Sequence, residues 1–280
     1  MRTARQAAGE RATQAREAMG DRATLAREAM GERATAAREA AGERATAARE
    51  AAMETATAAK EATADAIAAV KPRLRGRSHE WAFFLSIGFG VALVSAADGS
   101  EERLSAAIYA LSLSALLGTS ALYHRVNWKR PRARAWMRRL DHTMIFFLIA
   151  GTYTPFAVLL LDGPLADAIL ATVWIGAVAG SIVEMLWITH PKWVAALIYV
   201  ALGSVAAAAF PEMLAEMGVA GITLVVGGGL LYTVGAVVYA TERPNPNPAV
   251  FGYHEIFHLL VIAAAAAHFA AIAFFALPAA

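Results

Sequence analysis

From Glu80 onward the chain is a succession of apolar runs separated by short polar connections: 80–97, 103–124, 141–161, 165–187, 192–210, 219–240 and 254–277. The hydrocarbon core of a bilayer is roughly 30 Å thick, which a helix crosses in about 20 residues. Backbone N–H and C=O groups find no water there, so runs of this length read as helices that satisfy their own hydrogen bonds. The expected fold is therefore all-α, a bundle of seven transmembrane helices. The chain is 58% hydrophobic over 280 residues, and nearly all of that lies after residue 80, which excludes an ordinary soluble domain. It contains no cysteine, so a bound zinc ion would have to use imidazole and carboxylate. The N-terminus is charged and has no central apolar stretch. That excludes a cleavable signal peptide and leaves the first apolar helix as the insertion signal.

Charge sets the expected orientation. The connection between the second and third runs carries Arg125, Lys129, Arg130, Arg132, Arg134, Arg138 and Arg139, which the positive-inside rule places in the cytoplasm. The alternate connections hold Asp98, Glu101 and Glu102, then Asp162 and Asp167, then Glu212 and Glu216, with Arg103 as their one base. The expectation is a multi-pass protein of the plasma (inner) membrane, N-terminus cytoplasmic and C-terminus outside.

Ahead of the membrane domain, 80–280, the sequence predicts a charged arm, 1–70, and a basic linker, 71–79. Thr13, Thr24, Thr35, Thr46 and Thr57 recur every 11 residues, and Arg16, Arg27, Arg38, Arg49 and Lys60 keep the same spacing, each followed by Glu. Alanine and these charges favour a long helix, and an 11-residue period holds one face over three turns. Large apolar residues such as Met19, Leu25, Met30 and Met53 are few among the alanines, too few for a core. The arm is either a solvated, partly disordered segment or a helix that self-associates or lies on the membrane surface. It resembles the repeats of late-embryogenesis-abundant proteins, and no function follows from that. Lys71, Arg73, Arg75 and Arg77 suit anionic lipid head groups.

Within the membrane domain a few polar residues stand out. Ser120 and His124 close the second run, Asp141 opens the third, and His254 and His258 open the last. Under the expected topology all lie near the cytoplasmic ends of their helices. Ser120 and His124 are four apart, as are His254 and His258, so each pair shares a helix face. Three neutral imidazoles can hold zinc tetrahedrally and leave a fourth position for water. Asp141 could accept the proton of that water as it attacks a polarised carbonyl, and Ser120 could donate to the developing oxyanion or position the water. Singly, each residue has a plainer reading. A terminal histidine caps carbonyls, Asp141 complements the helix dipole, and Ser120 packs between helices. Glu184 reads either as a group that shuttles protons or gates a path, or as an acid reaching the interface beside Trp187 and His190. His268, deeper on the last helix, reads as an interhelical histidine, Pro155 as a kink, and Gly227, Gly228 and Gly229 as close helix packing.

Ser120-Ala-Leu-Tyr-His124, Asp141, and His254-Glu-Ile-Phe-His258 together resemble the signature of the hemolysin III family. That family groups with progestin and adiponectin receptors and, more distantly, alkaline ceramidases, in a superfamily assigned to membrane metal-dependent hydrolysis. Asp141-His142 through Gly151-Thr152-Tyr153-Thr154-Pro155 resembles the family's third helix, and the likeness covers about residues 78–275. It implies that His124, His254 and His258 bind zinc, that Asp141 contacts the metal through water, and that Ser120 supports the site.

The expected function is zinc-dependent hydrolysis of a lipid amide or ester, with membrane lipids as partners. The alternative is a non-enzymatic membrane-stress or lipid sensor, or a pore-forming haemolysin, in which the metal only ties helices together. A pore would need polar lining throughout, and the polar cluster lies at one end. The basic loop Arg125–Arg139 beside two membrane helices is a topology signal and lipid contact, not a nucleic-acid site.

Overall fold

A computed structural model describes residues 30, 38, 41–53, 55 and 72–280. In the arm, residues 41–53 are helical and exposed; most of the expected repeat helix, Lys71 of the linker included, lies outside the described residues. The unit Lys71–Ala280 stands by itself.

Helices follow one another with short connections: α1 (Arg77–Ala96), α2 (Ser100–Arg125), α3 (Pro131–Leu160), α4 (Gly163–Leu186), α5 (Lys192–Gly203), α6 (Phe210–Thr241) and α7 (Tyr253–Ala271), which continues as a π turn over Ile272–Ala276. Among the described residues there is no strand, only an isolated antiparallel bridge between Asn247 and Phe251. Proline opens α3 at its first position, where its missing N–H costs nothing. Among the described residues six helical stretches are long and apolar enough to cross a membrane, against seven expected. The difference is one 50-residue stretch, Lys192–Thr241, in which the expected fifth and sixth runs follow each other without a polar loop. A 3-10 turn at Val205–Ala209 interrupts it, and so does Gly218 at φ 64°, ψ −175°, a conformation that essentially only glycine adopts.

Consecutive helices from α1 to α4 pack on one another, α5 packs on α6 and α6 on α7, and α7 returns to α1, closing a ring. Helix α3 is the hub. It buries Phe146, Ala150, Gly151, Pro155 and Phe156, whereas α1 turns Trp81, Phe84, Leu85 and Phe89 outward, as a lipid-facing helix must. Pro155 lies inside α3 and deprives the Gly151 carbonyl of its helical partner. Buried hydroxyls are spent on neighbouring backbones: Tyr109 donates to Ala265 O at 3.0 Å and Tyr153 to Gly203 O at 2.6 Å. Without water, these bonds fix helix registers that apolar contact alone leaves loose. Of the three expected packing glycines, Gly228 alone is pressed, against the His268 ring, while Gly227 and Gly229 have open space.

Candidate metal centre

The starts of α1 and α7, the end of α2 and the interior of α3 converge; Asp141, expected to open its helix, lies ten residues inside α3, because the basic segment from Pro131 to Arg139 is helical as well. His124 sits in the last turn of α2, and His254 and His258 share one face of the first turns of α7. Nε2 of His124 and Nε2 of His254 are 3.0 Å apart, and one nitrogen from each of His124, His254 and His258 lies within 4.8 Å of the others. Asp141 Oδ2 stands 3.7 Å from His124 Nε2, and Ser120 lines the same cavity as Asp141. All five are buried. The three histidines and the acid thus come together, which the spacing within each pair allows.

The cluster could bind a metal ion. Two nitrogens each about 2.0–2.1 Å from one tetrahedral ion are about 3.3 Å apart, close to the His124–His254 separation. Facing imidazole nitrogens at such a distance need a shared proton or a cation between them. The donor set suits zinc and other first-row ions alike.

Sequence reasoning passed over several residues here. His79, early in α1, stacks face to face on His258 with ring centroids 3.7 Å apart and planes 7° from parallel. Both its ring nitrogens are buried without a hydrogen-bond partner. In the sequence it is a lone histidine at the start of an apolar run. Gly76, just before α1, has φ 76°, and a β-carbon there would meet His124 Cβ at 2.6 Å. Glycine is required twice over, for the left-handed backbone and for the approach to a cluster histidine. The segment before α1 is also strapped to the α6–α7 loop, with Arg73 N–H donating to Ala249 O at 3.1 Å and Leu74 N–H to Val250 O at 3.2 Å.

Glu255 completes that strap. It is buried, accepts from the Gly252 N–H at 2.7 Å through Oε2 and pairs with Arg75 through Oε1. One carboxylate therefore caps α7 and ties its start to the entry of α1, fixing the helix that carries two of the three histidines. Breaking such a pair leaves an uncompensated buried charge, costing about 3 kcal/mol. Arg75→Ala should accordingly lower the thermal midpoint in detergent, and Glu255→Gln in the same chain should recover part of the loss.

Glu184 departs from its expected place. It is only 2% exposed, enclosed by protein in the last turn of α4. His190 Nε2 is 3.0 Å from its Oε1, Tyr199 donates to it at 3.2 Å, and His142 Nδ1 is 3.4 Å from its Oε2. Three partners hold the acid inside, where an interfacial carboxylate would have had water alone. His268 behaves as expected, its Nε2 donating to Val225 O at 3.0 Å.

A cavity of about 270 Å³ opens beside the cluster, lined by His79, Ser120, Asp141, His142, His254 and His258 at one end and by apolar side chains beyond. A second, of about 260 Å³, adjoins it at Thr152, Gly203, Gly229 and His268 and runs on to Phe210 and Met213. Val226 and Leu230 of α6 line this cavity and are also exposed.

A family model described as haemolysin-III related matches residues 67–269, and the chain belongs to that family. It is 32% identical over 171 residues to Hemolysin-3 of Bacillus cereus, covering 61% of this chain and 74% of that protein. It is 29% identical over 174 residues to the Hemolysin-3 homolog of Bacillus subtilis (strain 168), covering 62% and 78%. The human monocyte to macrophage differentiation factor is 32% identical over 178 residues, covering 62% and 71%. The protein is thus a multi-pass membrane protein of the haemolysin III family, with three histidines that could hold a metal.

Proposed function

We propose that this haemolysin-III-related membrane protein is a zinc-dependent hydrolase of a lipid amide or ester. The observation that carries the reading is the meeting of His124, His254 and His258 with Asp141, 3.7 Å from His124, at the head of a long apolar cavity. His124, His254 and His258 would hold the ion. When bound, zinc supplies Lewis acidity, making water nucleophilic near neutral pH and polarising an acyl carbonyl. Asp141 takes the proton of the attacking water, and Ser120, lining the same cavity, positions that water. Burial excludes bulk water, so these few groups act in a medium where their charges are felt strongly.

Substrate class follows from the cavity. Apolar walls running from the histidines past Thr152 toward Met213 suit one acyl chain with its carbonyl at the cluster. Val226 and Leu230 line the cavity and are exposed as well, so a lipid enters sideways from the bilayer.

The reading includes seven crossings with the N-terminus in the cytoplasm. At 1.5 Å per residue the stretch Lys192–Thr241, 50 residues long, would extend about 75 Å as one helix, more than twice the roughly 30 Å of hydrocarbon. Its first part, α5, packs against α6, which a straight rod could not do. The stretch turns back between Ser204 and Gly218, beside Glu212 and Glu216.

The test is hydrolysis of a panel of ceramides and acyl esters by detergent-purified full-length protein. Zinc-loaded protein should cleave at least one, chelated protein none, and zinc should restore cleavage. A zinc-loaded protein that leaves every acyl lipid intact overturns the reading.

A further inference from the structure

Helix α6 carries three consecutive glycines, and packing accounts for one of them. A β-carbon on Gly228 would meet Cδ2 of the His268 ring at 2.4 Å, so this position is bare to let α7 approach. Gly227 and Gly229 have no atom within 4 Å of where a β-carbon would stand, their own turns of helix backbone aside. Neither has the positive φ that favours glycine. Both lie inside the helix Phe210–Thr241, where glycine costs stability against an ordinary side chain. They differ in one respect: Gly229 lines both cavities, and Gly227 lines neither.

The two cavities share a wall made by Thr152 and Tyr153 of α3, Gly203 of α5, Val226 and Gly229 of α6, and His268 of α7. Its polar side chains are anchored. Tyr153 donates to Gly203 O at 2.6 Å and accepts from the Ala206 N–H at 2.7 Å. Thr152 donates to Leu148 O at 2.7 Å, and His268 Nε2 donates to Val225 O at 3.0 Å. Groups held this way cannot swing aside for a passing chain, so the room at the junction depends on what stands at position 229. Beyond it the second cavity is walled by Phe156, Leu161, Ile169 and Met213, surroundings that suit a methyl end.

We infer that Gly229 sets chain-length specificity by keeping open the neck between the two cavities. The inference rests on the hydrolytic reading for the direction of the chain, with its carbonyl at the histidines. His268, at the neck, lies ten residues beyond His258 on α7, about 15 Å along the axis, or about 12 carbons of an extended acyl chain. Shorter chains end before the neck. Longer ones pass Gly229 and bury their last methylenes in the second cavity, each adding to the hold on the substrate.

Leucine at 229 has room for its β-carbon and should close the neck. Gly227→Leu, two positions away, brings the same gain in helix propensity and touches neither cavity. With 4-methylumbelliferyl palmitate and octanoate as probes and zinc-loaded full-length protein, the palmitate-to-octanoate ratio of kcat/KM should fall about 100-fold in Gly229→Leu and keep its wild-type value in Gly227→Leu. An unchanged ratio in Gly229→Leu, or an equal fall in both variants, overturns the inference. Both variants should melt at or above the wild-type midpoint, leucine being the better helix former. A lower midpoint for Gly229→Leu than for Gly227→Leu means that the space at 229 is not free, and it too overturns the neck. Palmitic acid carrying a diazirine at its ω-carbon reads the neck without turnover. On photolysis it should label Phe210 or Met213 in the wild type and in Gly227→Leu, and neither residue in Gly229→Leu. No label there in the wild type, or the same label in Gly229→Leu, overturns the inference. If the esters are not cleaved and the labelling follows the expected pattern, hydrolysis fails and the role of Gly229 stands.

Discussion

Replacing His254 and His258 together by alanine should leave a purified protein that no longer retains metal. The two rings project from one face of α7 four residues apart and meet His124 from across the bundle, so the double change removes two of three nitrogens that lie within 4.8 Å of one another. A single remaining imidazole cannot compete with water and buffer for an ion whose affinity depends on several donors held at once. Mass spectrometry should find about one zinc per wild-type chain and none in the variant. His268→Ala is the control on the same helix. Its ring is committed to Val225 O, so metal content should be unchanged. Circular dichroism and gel filtration establish that each variant is folded. A wild-type protein that takes up no metal even after zinc addition would reduce the histidines to packing groups and favour sensing or a structural role.

The residues that spoke from the sequence did so through spacing. Ser120 with His124 and His254 with His258 carry a one-turn interval, and charge asymmetry brought their helix ends to one side of the membrane. Asp141 was legible because an acid at the start of an apolar run is costly without a purpose. His79 gave no such signal: it is a single histidine at a helix start, and only the stack on His258 reveals it. Arg75 read as one of several lipid-facing bases, yet it pairs with Glu255, 180 positions away, a distance that no local pattern crosses. Glu184 was misplaced for the same reason. Its partners His142 and Tyr199 come from α3 and α5, and a carboxylate's burial is decided by what other helices offer it. The sequence separates the fifth and sixth runs at Glu212 and Glu216, whereas the structure carries helix through both acids in one stretch, Lys192–Thr241, interrupted by the 3-10 turn at Val205–Ala209 and by Gly218.

Asp141→Asn separates the two roles a metal could have here. Asparagine occupies nearly the same volume, so the packing around the three histidines should be kept and zinc content should equal that of the wild type. What it loses is the capacity to take a proton. If Asp141 is the base for the attacking water, kcat on a cleaved acyl lipid should drop about 10²–10⁴-fold, with little change in KM, because the acyl chain is held by the apolar cavity and not by the carboxylate. Ser120→Ala should cost less, about 10-fold, since it removes a hydroxyl that positions the water without removing the proton acceptor. A metal that merely ties α2 to α7 predicts the reverse pattern. Asp141→Asn would then be silent in every functional assay, while His254→Ala, by releasing the tie, would lower the thermal midpoint of the whole bundle. Measuring zinc content, thermal midpoint and turnover on the same three variants places the protein in one class or the other, because no single role for the ion produces both patterns.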